Sequence, residues 1–212
     1  MQHRPLGPTG LFVSEFALGR MTFGAESDEA MSWDLLDIYV AAGGCLIDTV
    51  DVYQARESER IVGRSLADRG VRDQVVIATK ARFPLRADPG PNDHGLSATY
   101  LLRAVDASFE RLGVDHIDPF QTHAWDPAMP VEDAFGALDA MVTAGKVRYL
   151  GVSNVTGLQL ERMARTVRSS GPPGSRVWGR IPTGASRRTT GATPLVPGTS
   201  SRSSAKSPRT TA

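Results

Sequence analysis

Leu46-Ile47-Asp48-Thr49-Val50-Asp51-Val52-Tyr53 is the stretch whose reading decides the fold. An apolar run, Cys45 to Ile47, ends in Asp48, and Tyr53 follows in a segment too polar to continue a strand. A second apolar run, Val75-Val76-Ile77-Ala78-Thr79, ends in Lys80. A third, Ile117-Asp118-Pro119-Phe120-Gln121-Thr122, ends in His123. In a parallel α/β sheet or barrel the C-terminal ends of the strands converge on one face, and chemistry is done there. The pattern therefore predicts that Asp48, Tyr53, Lys80 and His123 meet at one site.

Working outward, residues 3–16 read as a short hairpin with its turn at Gly7-Pro8-Thr9-Gly10. Phe16-Ala17-Leu18 leads into an exit loop, Gly19-Arg20-Met21. Residues 28–42 read as a helix capped by Ser27 or Asp28, with Leu35, Leu36, Tyr39 and Val40 inward and Gly43-Gly44 as its stop. Strand two is 45–50. A helix at 58–69 has Ser58 as cap, Ile61, Val62 and Leu66 inward, and Gly70 at its end. Strand three is 75–79. The loop 82–95 is long for a strand–helix connection and is expected to be a lid or substrate loop. Ser97 caps a helix whose inward stripe is Leu102, Val105, Phe109 and Leu112, closed by Gly113. Strand four is 117–122. Pro130 opens a helix with Phe135, Leu138, Met141 and Val142 inward. Strand five is 147–152, and Thr156-Gly157-Leu158-Gln159 matches a capping box for a last helix with Leu160, Met163 and Val167 buried. Strands and helices alternate strictly at crossover spacing, which predicts a parallel sheet.

The pattern stops near residue 170. Residues 171–212 hold 26 Gly, Pro, Ser and Thr among 42 residues, too few apolar groups to offset ordering entropy, so this tail is expected to be disordered. Its Arg/Pro/Ser/Thr/Gly/Ala bias is what shifted GC-rich codons give, so we expect an out-of-frame translation or an unrelated end. The tail carries +7 with no acid, which leaves −6 for residues 1–170. A basic tail suits nucleic acid or anionic membrane, but aromatic residues do not interleave it beyond Trp178, so no nucleic-acid partner is expected. The single cysteine, Cys45, fits a reducing compartment. No apolar run approaches membrane-spanning length and Met1-Gln2-His3-Arg4-Pro5 is no signal region, so we expect a cytoplasmic protein with no membrane partner. The four histidines (3, 94, 116, 123) show no paired ligand spacing, and no metal is expected.

Taken singly, each polar residue has an ordinary explanation: Asp48 as a cap, Tyr53 as packing, Lys80 as a solvated charge, His123 as a satisfied core histidine. Together they support one chemistry. A tyrosine is a poor acid at neutral pH, and a nearby ammonium such as Lys80 lowers its pKa. Asp48 would hold and balance Lys80. His123 would polarise a carbonyl oxygen by hydrogen bonding, and Tyr53 would protonate it. Side chains supply no hydride, so the set needs a nicotinamide cofactor.

The motifs resemble those of the aldo-keto reductases. Arg4-Pro5-Leu6-Gly7-x-Thr9-Gly10-Leu11-x-Val13-Ser14 is similar to the family's opening hairpin, and Asp48-Thr49-x-x-x-Tyr53 to its signature after strand two. Lys80 stands where the family has its catalytic lysine. Asp118-x-x-Gln121-x-His123 and Gly145-Lys146-Val147-Arg148-x-x-Gly151-Val152-Ser153-Asn154 are similar to its strand-four and strand-five motifs. The resemblance covers residues 3–168 and implies a TIM-type (β/α)8 barrel, of which about five β/α units are encoded in residues 1–170. It implies NADPH-dependent reduction of an aldehyde or ketone, with Asp48, Tyr53, Lys80 and His123 as the catalytic tetrad. It places Ser153 and Asn154 at the nicotinamide carboxamide and Gly19, Arg20 and Met21 beside its ribose, with Asp48 also on the cofactor side. Three positions depart from the family: Arg20 replaces a small residue, Gln54 stands where glycine commonly follows the tyrosine, and Pro119 interrupts strand four. A barrel of this kind needs about 250 residues, and the later elements that grip the adenosine phosphate have no counterpart in 171–212. The alternatives left open are an inactive barrel fragment, a cofactor-binding regulatory protein, and a Schiff-base aldolase using Lys80.

Overall fold

The computed structural model describes residues 1–170; the tail and the disorder expected of it lie outside the described residues. A hairpin comes first, β1 (His3–Pro5) antiparallel to β2 (Phe12–Ser14). Five parallel strands follow in sheet order equal to chain order: β3 (Leu18–Gly19), β4 (Leu46–Asp48), β5 (Val76–Ala81), β6 (Ile117–Thr122) and β7 (Val147–Val152). The helices between and after them are α1 (Glu29–Ala41), α2 (Glu57–Arg69), α3 (Ala98–Leu112), α4 (Val131–Thr143) and α5 (Gly157–Ser170). The fold is α/β with a parallel sheet. The expected eight-stranded closure is not present among the described residues, where β3 and β7 are each paired on one side only.

Alternation along the strands separates two cores. Ile47 and Ile77 face the helices, in the main cluster with Val62, Leu66, Leu101, Val105 and Leu138. Leu46, Val76 and Ala78 face the other way, against Leu6 and Val13 of the hairpin. The hairpin thus covers the inner face of the sheet at the start of the strands. Asp48 and Lys80 continue that inner face beyond it, at the strand ends.

Helix signals behave largely as their chemistry demands. Asp28 caps α1 by accepting from Met31 N, and Ser97 caps α3 by accepting from Tyr100 N. The capping box opens α5 reciprocally: Thr156 N donates to Gln159 Oε1 at 2.8 Å, and Gln159 N to Thr156 Oγ1 at 3.3 Å. Ser58 is not a cap. It lies inside α2, fully buried, where its hydroxyl bonds Thr49 Oγ1 and the Arg20 carbonyl, because the turn from Tyr53 to Arg56 starts the helix one residue earlier. Two inward assignments also fail: Leu35 and Leu102 are 39% and 38% exposed. In α1 the buried residues are Ser32, Leu36 and Tyr39, and in α3 they are Tyr100, Leu101, Ala104, Val105, Ser108 and Leu112, so each stripe is rotated from the one chosen by hydrophobicity alone. Lys80 lies inside β5, which runs on to Ala81 because Ala81 O still accepts from His123 N.

Gly63 sets how closely α2 approaches α3. A methyl group there would stand 2.5 Å from Leu112 O and 2.7 Å from Arg111 O, both backbone atoms that cannot turn aside. Gly63→Ala should therefore lower stability by about 1–3 kcal/mol through overpacking, read as a fall in the midpoint of urea unfolding. An unchanged midpoint would show that the two helices can separate at no cost.

Candidate active site

Three strand ends and their loops build the site. Thr49 N donates to Ala78 O and Asp51 N to Lys80 O, so the chain leaving β4 stays bound to β5 beyond the end of the ladder. This fixes Asp48 beside Lys80. Lys80 Nζ donates to Asp48 Oδ1 at 2.5 Å and to Thr49 O at 3.3 Å, with the lysine side chain only 8% exposed and the aspartate 37%. An ammonium this enclosed requires its partner. Gln121 stands in register beside Lys80 on β6, fully buried, with no acceptor for its Nε2 among the described residues.

Tyr53 and His123 face each other edge to face, ring centroids 6.3 Å apart and planes at 83°. Phe83 packs on the same imidazole at 4.8 Å. Burial, then the positive charges of Lys80 and Arg82, push His123 down to about 4, so the ring is neutral at pH 7 and donates one hydrogen. Its Nδ1 is buried, with no hydrogen-bond partner among the described residues. Tyr53 is held above the usual phenol range by burial and then by the Asp48 carboxylate. The expected lowering by the lysine is not seen, because the Lys80 charge is taken up by Asp48. The phenol keeps its proton at neutral pH.

The loop that carries Tyr53 is strained. Gln54, Ala55 and Arg56 have φ of 46°, 51° and 81°, in the left-handed region that favours glycine. Glycine would adopt such angles without a steric penalty, so this turn holds its three side-chain-bearing residues at a cost. Gln54 anchors the turn by donating from Nε2 to Met21 O at 2.8 Å.

Ser153 and Asn154 end β7 next to β6. Ser153 N donates to Thr122 O, and Asn154, itself left-handed at φ 51°, donates from Nδ2 to His123 O at 2.8 Å and to Ser153 Oγ at 3.3 Å. Gly19 is exposed and Met21 is 62% exposed. Arg20 between them is fully buried, its guanidinium 4.4 Å above the Phe23 ring and without a hydrogen-bond acceptor among the described residues. Burial pushes it down to about 9. Asp118, quoted in the strand-four motif, is structural: its Oδ2 accepts from Ile77 N at 2.8 Å and from Arg72 at 3.0 Å, filling the gap that β6 leaves at the start of its pairing with β5.

Beneath the site lies a polar layer that the motifs do not announce. Glu59, fully buried, accepts from Thr79 Oγ1 and from Arg111 Nε, both at 2.6 Å. Tyr100 Oη donates to Phe83 O at 2.9 Å and lies 3.4 Å from Asp51 Oδ2. Burial first and the Glu59 charge second raise the Asp51 carboxyl to about 7. A carboxyl raised in the fold binds protons that the unfolded chain releases, so Asp51 costs stability progressively as pH rises from about 4 through 7. Asp51→Asn should therefore melt increasingly above the parent as pH rises through that window, with the gap constant beyond it. The opposite trend from His123 is common to both proteins and cancels. A gap independent of pH would show that Asp51 is charged throughout.

A sequence model of the Aldo/keto reductase family matches residues 15–173. The chain belongs to the aldo/keto reductase family. Among its curated relatives, an uncharacterized oxidoreductase of Bacillus subtilis, YrpG, is 38% identical over 168 residues, which is 76% of this chain and 51% of that protein. Norsolorinic acid reductase A of Aspergillus parasiticus is 36% identical over 182 residues, 80% of this chain and 47% of that protein. An aryl-alcohol dehydrogenase [NADP(+)] of Phanerodontia chrysosporium is 34% identical over 186 residues, 80% of this chain and 48% of that protein. The chain spans about half the length of the curated relatives it matches. No helix among the described residues of this aldo/keto reductase family member is long and apolar enough to cross a membrane.

Proposed function

We propose that residues 1–170 carry the acid–base part of an NADPH-dependent oxidoreductase site that reduces an aldehyde or ketone to an alcohol. Residues 171–212 are an appended basic segment in this reading. The observation that carries it is the enclosed Lys80–Asp48 pair at the strand ends, on the same face as the edge-to-face Tyr53–His123 pair.

The donor set suits a nicotinamide carboxamide, which both gives and accepts hydrogen bonds. Ser153 keeps a hydroxyl proton to donate, Asn154 keeps its Oδ1 to accept, and the Gln121 Nε2 beside Lys80 lacks an acceptor among the described residues. Gly19 and Met21 border the cofactor side together with Asp48, while the enclosed Arg20 side chain contributes support to their loop. When bound there, a nicotinamide would supply the hydride that the side chains lack. Tyr53 gives its proton to the carbonyl oxygen as general acid. Neutral His123 donates a hydrogen bond to that oxygen and holds it in line. Lys80, held by Asp48, would stabilise the phenolate only as it forms; in the resting site Asp48 balances its charge and Tyr53 stays neutral. The resemblance to the NADP(+)-dependent dehydrogenase and to the norsolorinic acid reductase supports this reading of cofactor and reaction class.

A second reading, a chain that binds cofactor without turnover, draws on the one-sided pairing of β3 and β7 among the described residues. One titration separates the two. Protein fluorescence should be quenched on adding NADPH, and NADPH absorbance should then fall on adding an aromatic aldehyde. Quenching without consumption selects the second reading. Absence of quenching overturns both.

A further inference from the structure

A cleft of about 210 Å³ lies between the loop after β5, the residues leading into α2, and one face of α3. Among the described residues four arginines line it, Arg56, Arg86, Arg103 and Arg111, with Asp93 as the one acid on its wall. Residues 1–170 carry −6, so this concentration of positive charge runs against the composition of the surrounding protein. The floor is made by Ala104 and Ala107, whose small side chains on the same face of α3 leave the space open, and Leu85 adds an apolar wall.

The arginines are held in place but not used up. Asp93 is shared: Arg86 Nη2 donates to its Oδ2 and Arg103 Nη2 to its Oδ1 at 3.0 Å, while the same Arg103 nitrogen donates to Asn92 O at 2.7 Å. Arg111 spends Nε on Glu59 and Nη2 on Ser108, which leaves Nη1. Arg56 has neither a carboxylate nor a hydrogen-bond acceptor among the described residues. Four guanidinium charges against Asp93 and Glu59 leave two uncompensated as long as Asp51, which interacts with Arg111, keeps its proton, as it does below about pH 7. Each arginine keeps N–H donors unpaired among the described residues. Preformed guanidinium forks match the oxygens of a phosphate group. The Asp93 clamp also ties down the loop 82–95, which Gly95 N closes onto Arg82 O at 2.8 Å. That loop forms a wall of the cleft.

We propose that this cleft binds a small organic phosphate as its dianion, separately from the site at the strand ends. Two uncompensated charges select the dianion over a monoanion, and the alanine floor with Leu85 accepts an apolar body beyond the phosphate.

Phenyl phosphate is the probe, titrated calorimetrically into the full chain at about pH 6.5, where the ligand is largely the dianion and Asp51 largely keeps its proton, with benzenesulfonate as the monoanion of similar shape. Saturable one-site binding is expected, with benzenesulfonate weaker by about tenfold, and Arg56→Gln and Arg103→Gln should each weaken phenyl phosphate by about tenfold. Neither side chain is in the core, and circular dichroism melting checks that both variants fold. Salt gives an independent reading on the unmutated chain: affinity should fall steadily as sodium chloride rises. NADPH affinity should be the same in the Arg56→Gln/Arg103→Gln double variant as in the parent. Lack of binding at millimolar phenyl phosphate, or full binding by the double variant, overturns the proposal. So does parallel loss of NADPH binding in that variant, which would make the cleft part of the cofactor site.

Discussion

On the proposed reading, Tyr53→Phe should lower carbonyl turnover by about a hundred- to ten-thousandfold, the span that one positioned general acid contributes, and should leave NADPH affinity within about twofold. The substitution deletes one hydroxyl and keeps the ring that packs edge-on against His123 at 6.3 Å, so the shape of the site survives. The loss should fall on the maximal rate and not on the apparent affinity for cofactor, because the phenol is a partner of the reacting oxygen alone. Its proton is secure before reaction: burial and Asp48 both hold Tyr53 in the neutral form. Lys80→Met should lose activity by a comparable factor for a different reason. It removes the charge that would stabilise the phenolate and leaves Asp48 without its partner at 2.5 Å. Consumption of NADPH followed by absorbance, beside fluorescence titration of the same samples, checks both. If Tyr53→Phe keeps most of the parent's turnover, another group is the acid.

The strand-end logic was legible because parallel strands are buried on both faces and read as apolar runs. Ile117–Thr122 and Val147–Val152 occur as the runs predicted, and Asp48, Lys80 and His123 are brought to one end of the sheet by the alternation that sends Leu46 and Val76 to the hairpin. The helix faces were less legible. Leu35 and Leu102 are hydrophobic, but geometry, not hydrophobicity, assigns the buried side, and small polar residues such as Ser32 and Ser108 occupy it. The strain at Gln54 was legible only as a missing glycine, since a residue type announces a dihedral angle but does not fix it. The cationic cleft draws on the turn before α2, on α3 and on the loop after β5, so its arginines have no common spacing in the chain.

The buried ion pair beneath the site carries the largest expected effect on stability. Its signal was present: Glu59 stands on the same face of α2 as Val62 and Leu66, and Arg111 adjoins Ser108 and Leu112 on α3, so opposite charges occupy core positions on consecutive helices. Arg111→Met should destabilise by about 3–5 kcal/mol, the cost of leaving one member of a buried pair without its partner. Glu59 is fully buried and would keep only the Thr79 hydroxyl. The cost should grow with pH. Arg111 holds Asp51 down while Glu59 pushes it up, so without the arginine Asp51 is raised further and more stability is lost as pH rises through its range. Urea unfolding midpoints across pH 5–8 measure this. The double variant Glu59→Leu/Arg111→Met should recover part of the loss, because it removes the stranded charge, though Thr79 and Ser108 then lack their partners. If the double variant is as unstable as the sum of the two single ones, the loss comes from packing around the side-chain stems and not from the pairing of charges.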